Sequence, residues 1–236
     1  MKTLSPIMGI SRRWYFGVSM VLLGLFGPLA KANLILDGGF EQPVVGPGGP
    51  DSGYMDFTVG QTIDGVWTVV GTGNDVSVFP GTETQIGGGT YTVEEGLQAI
   101  DLTGDFDNGD PIGVQQVVPT IAGTQYTLSF YVGHFDIADG GGSVATVILD
   151  LNGSAVLTAS NSNSTSGVDN WRLFTYNFTA TGSNTTLAFI NGTPAGAFLG
   201  GLDNVQLNAT APEPSTLVLA GMGLLATVLV RGRTRR

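Results

Sequence analysis

The sequence has no cysteine, a single histidine and almost no basic residues away from its two ends. Without cysteine it has neither disulfides nor thiolate chemistry, so the fold must depend on packing and hydrogen bonding. One histidine, His134, leaves too few nitrogen or sulfur ligands for a zinc site. No Gly-x-Ser-x-Gly elbow accompanies it, which argues against a Ser-His-Asp hydrolase. Any metal site would therefore have to use oxygen ligands, and any catalysis would have to use carboxylates.

Positive charge is scarce between residues 33 and 211. Only Arg172 of the nine lysines and arginines lies there, together with eighteen of the nineteen acidic residues, so this region has a net charge of −17. A surface of this charge repels nucleic acid and anionic lipid. Divalent cations are the natural counter-ions, and calcium prefers oxygen ligands. Solubility alone is the other explanation for the acidity.

The first 32 residues have the layout of a secretory signal. Three basic residues precede an apolar run over 15–29, and Ala30-Lys31-Ala32 supplies the small residues that signal peptidase requires. The run is short for a membrane span. We therefore predict a cleaved signal peptide over residues 1–32 that engages the Sec translocon, with an uncleaved N-terminal anchor as the alternative.

The last 25 residues also have three parts. Pro212-Glu213-Pro214 comes first, an apolar run over 217–230 follows, and four arginines close the chain. The run would span about 21 Å as a helix, which is less than a hydrocarbon core of about 30 Å. The positive-inside rule places the arginines in the cytoplasm. Residues 33–211 would then lie on the outer side of the inner membrane. A short hydrophobic helix of this kind suits a temporary anchor.

This ending resembles the PEP-CTERM sorting signal, which extends here over residues 211–236. The resemblance implies recognition by an exosortase, a membrane-embedded cysteine protease-transpeptidase of Gram-negative bacteria. It also implies cleavage near Pro212, Glu213 and Pro214. The protein would be a precursor anchored in the inner membrane that is later delivered to the cell envelope or the exopolysaccharide matrix of a biofilm. The alternative is a plain tail anchor with a chance Pro-Glu-Pro.

The central region predicts an all-β fold. Short β-rich runs recur between turn residues rich in glycine, and the alternating pattern indicates a single antiparallel β-sandwich over 33–208. Runs 124–133 and 171–180 alternate well, and Asn152-Gly153 predicts a hairpin. The predicted strands are 33–36, 66–70, 75–79, 97–102, 112–118, 124–133, 143–151, 154–159, 171–180, 185–190 and 203–208.

The domain is similar to galactose-binding-like jelly-roll sandwiches of extracellular proteins, among them carbohydrate-binding modules. The similarity rests on NLILDGGFE from Asn33, GLQAIDL from Gly96, GTQYTLSF from Gly123 and LDNVQL from Leu202. It implies that the first and last strands lie close together. There Glu41 and Asp203 would hold a structural calcium ion, completed by backbone carbonyls. The alternative is that both acids cap strand ends.

Sugar binding would need exposed aromatic rings, for which Trp67, Trp171, Tyr54 and Tyr91 are candidates, although both tryptophans also suit a core. Together these features predict a non-catalytic, polysaccharide-binding protein of the envelope or matrix, with no nucleic-acid partner. A structural biofilm scaffold without a small ligand is the first alternative. A glycoside hydrolase with two carboxylates is the second, although no local pattern singles out a pair.

Overall fold

The computed structural model describes residues 32–46, 53–81, 91–106, 109–135, 144–163, 169–196 and 200–210. Within these ranges the chain forms twelve β-strands and one 3₁₀ turn, Gly104–Phe106. No helix in the described part has the length and apolar character needed to cross a bilayer. The predicted signal peptide, its helix and the C-terminal hydrophobic helix lie outside the described residues.

The twelve strands are numbered in chain order. They are β1 (Met55–Thr58), β2 (Thr62–Ile63), β3 (Trp67–Gly71), β4 (Asp75–Pro80), β5 (Gln98–Asp101), β6 (Ile112–Pro119), β7 (Gln125–Phe135), β8 (Ala145–Leu151), β9 (Ser154–Asn161), β10 (Asp169–Thr179), β11 (Asn184–Asn191) and β12 (Gly200–Ala209).

Two six-stranded sheets form the domain, and every strand pair in them is antiparallel. The front sheet has the order β1-β4-β5-β12-β7-β10, and the back sheet has the order β2-β3-β6-β11-β8-β9. The predicted all-β, two-sheet antiparallel architecture is therefore confirmed. Since seven of the ten neighbouring pairs join strands that are not consecutive in the chain, long-range pairing largely fixes the position of each outward-facing side chain.

Alternation along the long strands separates the core from the surface. In β7, Tyr126, Leu128, Phe130 and Val132 are all buried and pack between the sheets. The intervening side chains of β7 point away from this core. The same alternation continues in its neighbour β10, which pairs with β7 over its whole length. The front sheet thus has one packed face and one outer face.

The Asn152-Gly153 hairpin is confirmed. Both residues have positive φ values, 51° and 81°, and they join β8 to β9 with Leu151 opposite Ser154. Two consecutive positive φ values are those of a type I′ turn, which asparagine and glycine adopt most readily. The turn therefore sets the register of the hairpin from local sequence.

Two regions differ from the sequence-based expectation. β1 and β2 were not predicted, since both are short and lie at the edges of their sheets. Residues 33–36 do not form a regular strand. They nevertheless lie against β12, because the amide of Leu34 donates to the carbonyl of Leu207 at 2.9 Å. The first and last parts of the domain are adjacent, as the resemblance implied.

Candidate functional site

A segment that we call the strap, residues 91–97, lies on the outer face of the front sheet. Its backbone N–H groups donate to carboxylates. Asp169 Oδ2 accepts from Thr92 at 2.6 Å. Asp203 Oδ2 accepts from the amides of residues 94 and 95 at 2.8 and 2.9 Å, and Glu41 Oε1 accepts from Leu97 at 2.8 Å. Three acids from separate parts of the chain therefore position one loop.

Gly96 allows Glu41 to reach the strap. This glycine has a φ of +66°, and a Cβ atom at its position would lie 2.0 Å from Glu41 Oε1. Any side chain here would be strained by the left-handed backbone, and the Glu41 carboxylate would have to move away. The positive φ therefore favours glycine at this position.

Glu41 and Asp203, the two predicted calcium ligands, lie close together. A Cβ atom built on Gly39 would be 3.7 Å from Asp203 Oδ1 and 3.8 Å from Glu41 Oε1. Their carboxylate oxygens are the donor type that calcium prefers. In the described residues no group of three or more His, Cys, Asp or Glu side chains could hold a metal ion. Backbone carbonyls would have to complete such a site, so calcium remains a prediction.

Burial perturbs two acids that hold the strap. Asp203 is completely buried, and this burial raises its pKa to about 7 in spite of three hydrogen bonds from backbone amides. Burial likewise raises the pKa of Asp169 to about 7, and the nearby Asp101 adds to the effect. Asp169 Oδ1 is buried without a hydrogen-bond partner. Desolvation of the charged form therefore exceeds its stabilisation by N–H donors at both residues.

Trp171 lies flat on a floor made by two glycines. Gly133 of β7 and Gly201 of β12 are register partners. A Cβ atom on either glycine would come within 2.8 or 3.0 Å of the indole ring. The indole Nε1 donates to the carbonyl of Thr92 in the strap at 3.1 Å. The ring is only partly buried, so it is held rigidly and still contacts solvent.

Around Trp171 extends what we call the open face, the outward side chains of β7 and β10. Tyr131 pairs across the strands with Leu173, which is 49 % exposed. Partial burial and then the Glu94 carboxylate raise the pKa of Tyr131, so this strap residue lies beside the phenol. Apart from these three residues, Gly133 and the buried Asp169, the described side chains of this face are hydroxyls and amides, namely Gln125, Thr127, Ser129, Thr175, Asn177 and Thr179.

The four aromatic residues proposed from sequence have different environments. Trp67 has no exposed surface and packs between Phe40 and Phe189, so its assignment as a sugar platform was wrong. Tyr91 is only 7 % exposed, and its ring packs on Phe79, so it does not offer the exposed ring that was expected. Tyr54 is partly buried beside the same small cluster. Trp171 is also partly buried and packs against this cluster, but it lies on the outward side of β10, on the open face.

Comparison with protein families identifies the C-terminal segment. Residues 210–236 match the PEP-CTERM protein-sorting motif. The chain is therefore an exported protein made as a membrane-anchored precursor, and an exosortase processes it. The match covers the sorting signal only and does not assign the sandwich to a family. No curated protein matches the chain.

Several solved structures are similar to the sandwich. One is TmCBM61, solved in complex with β-1,4-galactotriose. Its sequence is 16 % identical, and the superposition has a TM-score of 0.46. The match covers 76 % of this chain and 99 % of TmCBM61. Another is the CBM22-1 xylan-binding domain of Paenibacillus barcinonensis Xyn10C, with 19 % identity, a TM-score of 0.41, and coverage of 77 % and 97 %. At these identities and TM-scores the likeness carries no argument about function.

Proposed function

We propose that the domain is a non-catalytic carbohydrate-binding module, and that its open face binds an extracellular polysaccharide of the envelope or matrix. The observation that carries the proposal is the indole of Trp171, held flat on Gly133 and Gly201 and accessible to solvent. A rigid aromatic ring of this kind offers an apolar surface on which the C–H face of a sugar ring stacks. It does so at little entropic cost, because the ring is already fixed.

The neighbouring side chains support the same proposal. Ligand sites combine apolar contact with a few polar groups that set orientation. On the open face Tyr131 and Leu173 extend the apolar contact, while Ser129 and Thr175 lie opposite each other in the next row. These hydroxyls can donate to and accept from sugar hydroxyls. A neutral glycan fits best, because an acidic one would meet a domain with a net charge of −17.

Replacing Trp171 with alanine is expected to weaken glycan binding about 30-fold, in line with the loss of about 2 kcal/mol for a central aromatic anchor. Affinity electrophoresis in gels that contain neutral or acidic polysaccharides measures this directly. Val117→Ala, an exposed change on the outer face of the back sheet, is the matched control. If the wild-type domain is retained by no glycan, the scaffold alternative replaces this proposal.

A second candidate function is a glycoside hydrolase, and one observation favours it. Asp169 has a pKa of about 7, and the carboxylate of Asp101 is close enough to raise it further. A paired acid and base is the arrangement that such enzymes need. We prefer the binding function to hydrolysis, because Asp169 and Asp101 are only 6 % and 8 % exposed and a substrate would have little access to them. New reducing ends released from the bound polysaccharide, and lost in Asp169→Asn, would establish catalysis instead.

We further propose that calcium binds between Glu41 and Asp203 and stabilises the sandwich. An excess of chelator is then expected to lower the melting temperature by roughly 5–10 °C, since a cation at 100 times its dissociation constant contributes about 2.7 kcal/mol. Differential scanning calorimetry with chelator, and again after calcium is restored, measures the effect. In Asp203→Asn the two curves should coincide. A wild-type curve that chelator leaves unchanged would contradict a structural metal.

A further inference from the structure

The end of the open face farthest from Trp171, beyond the row of Ser129 and Thr175, contains a groove. It has a volume of about 420 Å³ and lies where β7 begins and β10 ends. The groove is lined by Gln125, Thr127, Asn177, Phe178, Thr179 and Thr210. Thr210 is the last described residue, so the chain leaves the domain from the wall of this groove.

Hydrogen bonds fix the direction in which the chain leaves. The amide of Thr210 donates to the carbonyl of Gln125 at 2.8 Å, which continues the pairing of β12 with β7 beyond Ala209. The hydroxyl of Thr210 lies 3.4 Å from that of Thr127, and Thr127 in turn donates to Asn177 Oδ1 at 2.7 Å. Thr210, from which the chain continues into the sorting motif, is therefore in contact with the groove.

The sorting motif cannot move far from this point. Glu213 is three residues beyond Thr210, so even a fully extended chain keeps the two Cα atoms within about 11 Å of each other. The apolar run begins at Leu217, which limits the distance between the folded domain and the membrane-embedded segment to about 25 Å. The motif is confined at high effective concentration beside the groove.

The lining of the groove suits the motif chemically. Its amides and hydroxyls can donate to the Glu213 carboxylate. None of the six lining side chains is charged. This is notable in a region with eighteen acids and one base, because most of the surface repels a carboxylate.

We propose that this groove binds residues 211–214 of its own chain and holds the Pro-Glu-Pro motif against the folded sandwich. The sorting signal is then part of the folded surface of the precursor. Exosortase must either displace the motif from the groove or recognise it together with β7 and β10. Folding of the domain thereby controls when the motif can be processed.

Photo-crosslinking of the full-length precursor in membrane vesicles tests the proposal. A benzoylphenylalanine probe replaces Ser215, which leaves the motif intact, and the crosslinked peptides are mapped after irradiation. We expect crosslinks to the peptides that contain residues 125–127 or 177–179. A probe at Ala155, an exposed residue of β9 in the back sheet, should give none of them. Crosslinks from position 215 to lipid alone would overturn the proposal.

Two further changes show whether the groove itself is responsible. Thr127→Val with Asn177→Ala removes polar groups from the lining, and it is expected to reduce the crosslink yield at least fivefold. A nine-residue Gly-Ser insertion after Thr210 leaves the sandwich untouched and should also lower the yield, by diluting the motif near the groove. The insertion keeps the test decisive if the double variant folds poorly. An unchanged yield in both would refute docking.

Discussion

In the presence of a chelator, the free energy of unfolding should fall by about 4 kcal/mol as the pH rises from 4 to 8. The cause is Asp169, whose pKa burial raises from 3.8 to about 7 in the folded state. Below pH 4 this acid is protonated in both states, so its contribution to stability is complete. Between pH 4 and 7 only the unfolded state releases the proton, which favours unfolding. Above pH 7 the contribution is lost.

Urea denaturation at a series of pH values checks this expectation. Asp203, with a pKa also raised to about 7 by burial, adds to the effect in the same direction. The matched variant is Asp169→Asn, which keeps an acceptor for the amide of Thr92 but cannot ionise. Between pH 4 and 8 the free energy of unfolding of this variant should fall by about 4 kcal/mol less than that of the wild-type domain. A wild-type domain that is more stable at pH 8 than at pH 5 would contradict the assignment.

Replacing Trp67 with alanine is expected to destabilise the domain by about 3–5 kcal/mol. Its side chain is fully buried, and it packs on Phe40 at a centroid distance of 5.3 Å and on Phe189 at 6.1 Å. Its Nε1 also donates to the carbonyl of Asp37 at 2.8 Å. The substitution therefore leaves a large cavity where the N-terminal segment meets the back sheet, and the Asp37 carbonyl keeps only the hydrogen bond from the amide of Phe40 at 3.2 Å.

Chemical denaturation of the variant measures this loss. Trp67→Phe keeps an aromatic ring but removes the hydrogen bond, so it should lower the free energy of unfolding by less than Trp67→Ala does. Trp171→Ala is the contrasting surface change, because the ring lies on the outside of the front sheet, and its effect on stability should stay near 1 kcal/mol. Equal losses for Trp67→Ala and Trp171→Ala would show that the assignment of the two faces is wrong.

Much of the fold could be predicted because period-two alternation is a local property. Tyr126, Leu128 and Phe130 mark the inner face of β7 directly, and Asn152-Gly153 specifies its turn without help from the rest of the chain. β1 and β2 could not be found in the same way. Each is too short to show a period, and each becomes a strand only by pairing with β4 or β3.

The candidate site was less predictable, because its features depend on contacts between distant residues. Trp67 and Trp171 both lie in apolar, β-rich sequence, and only the pairing of the sheets shows which one faces out. The glycine floor joins Gly133 and Gly201, which meet only because β7 pairs with β12. No sequence pattern predicts the strap, because the groups that the acids bind are backbone amides, which every residue other than proline has. Glu41 and Asp203 were found through resemblance.

The contact between the N-terminal segment and β12 determines how the precursor carries tension. A force transmitted from the membrane through residues 211–236 acts first on β12. Beyond its short pairing with β5 at Gly201 and Leu202, this strand is held by Asn33, whose Oδ1 accepts from the amide of Leu207 at 2.9 Å. On the other side, β7 holds it. Because both flanks lie alongside β12, a pull along this strand would load their hydrogen bonds in shear. Residues 33 and 34 thus help to anchor the strand that directly precedes the sorting motif.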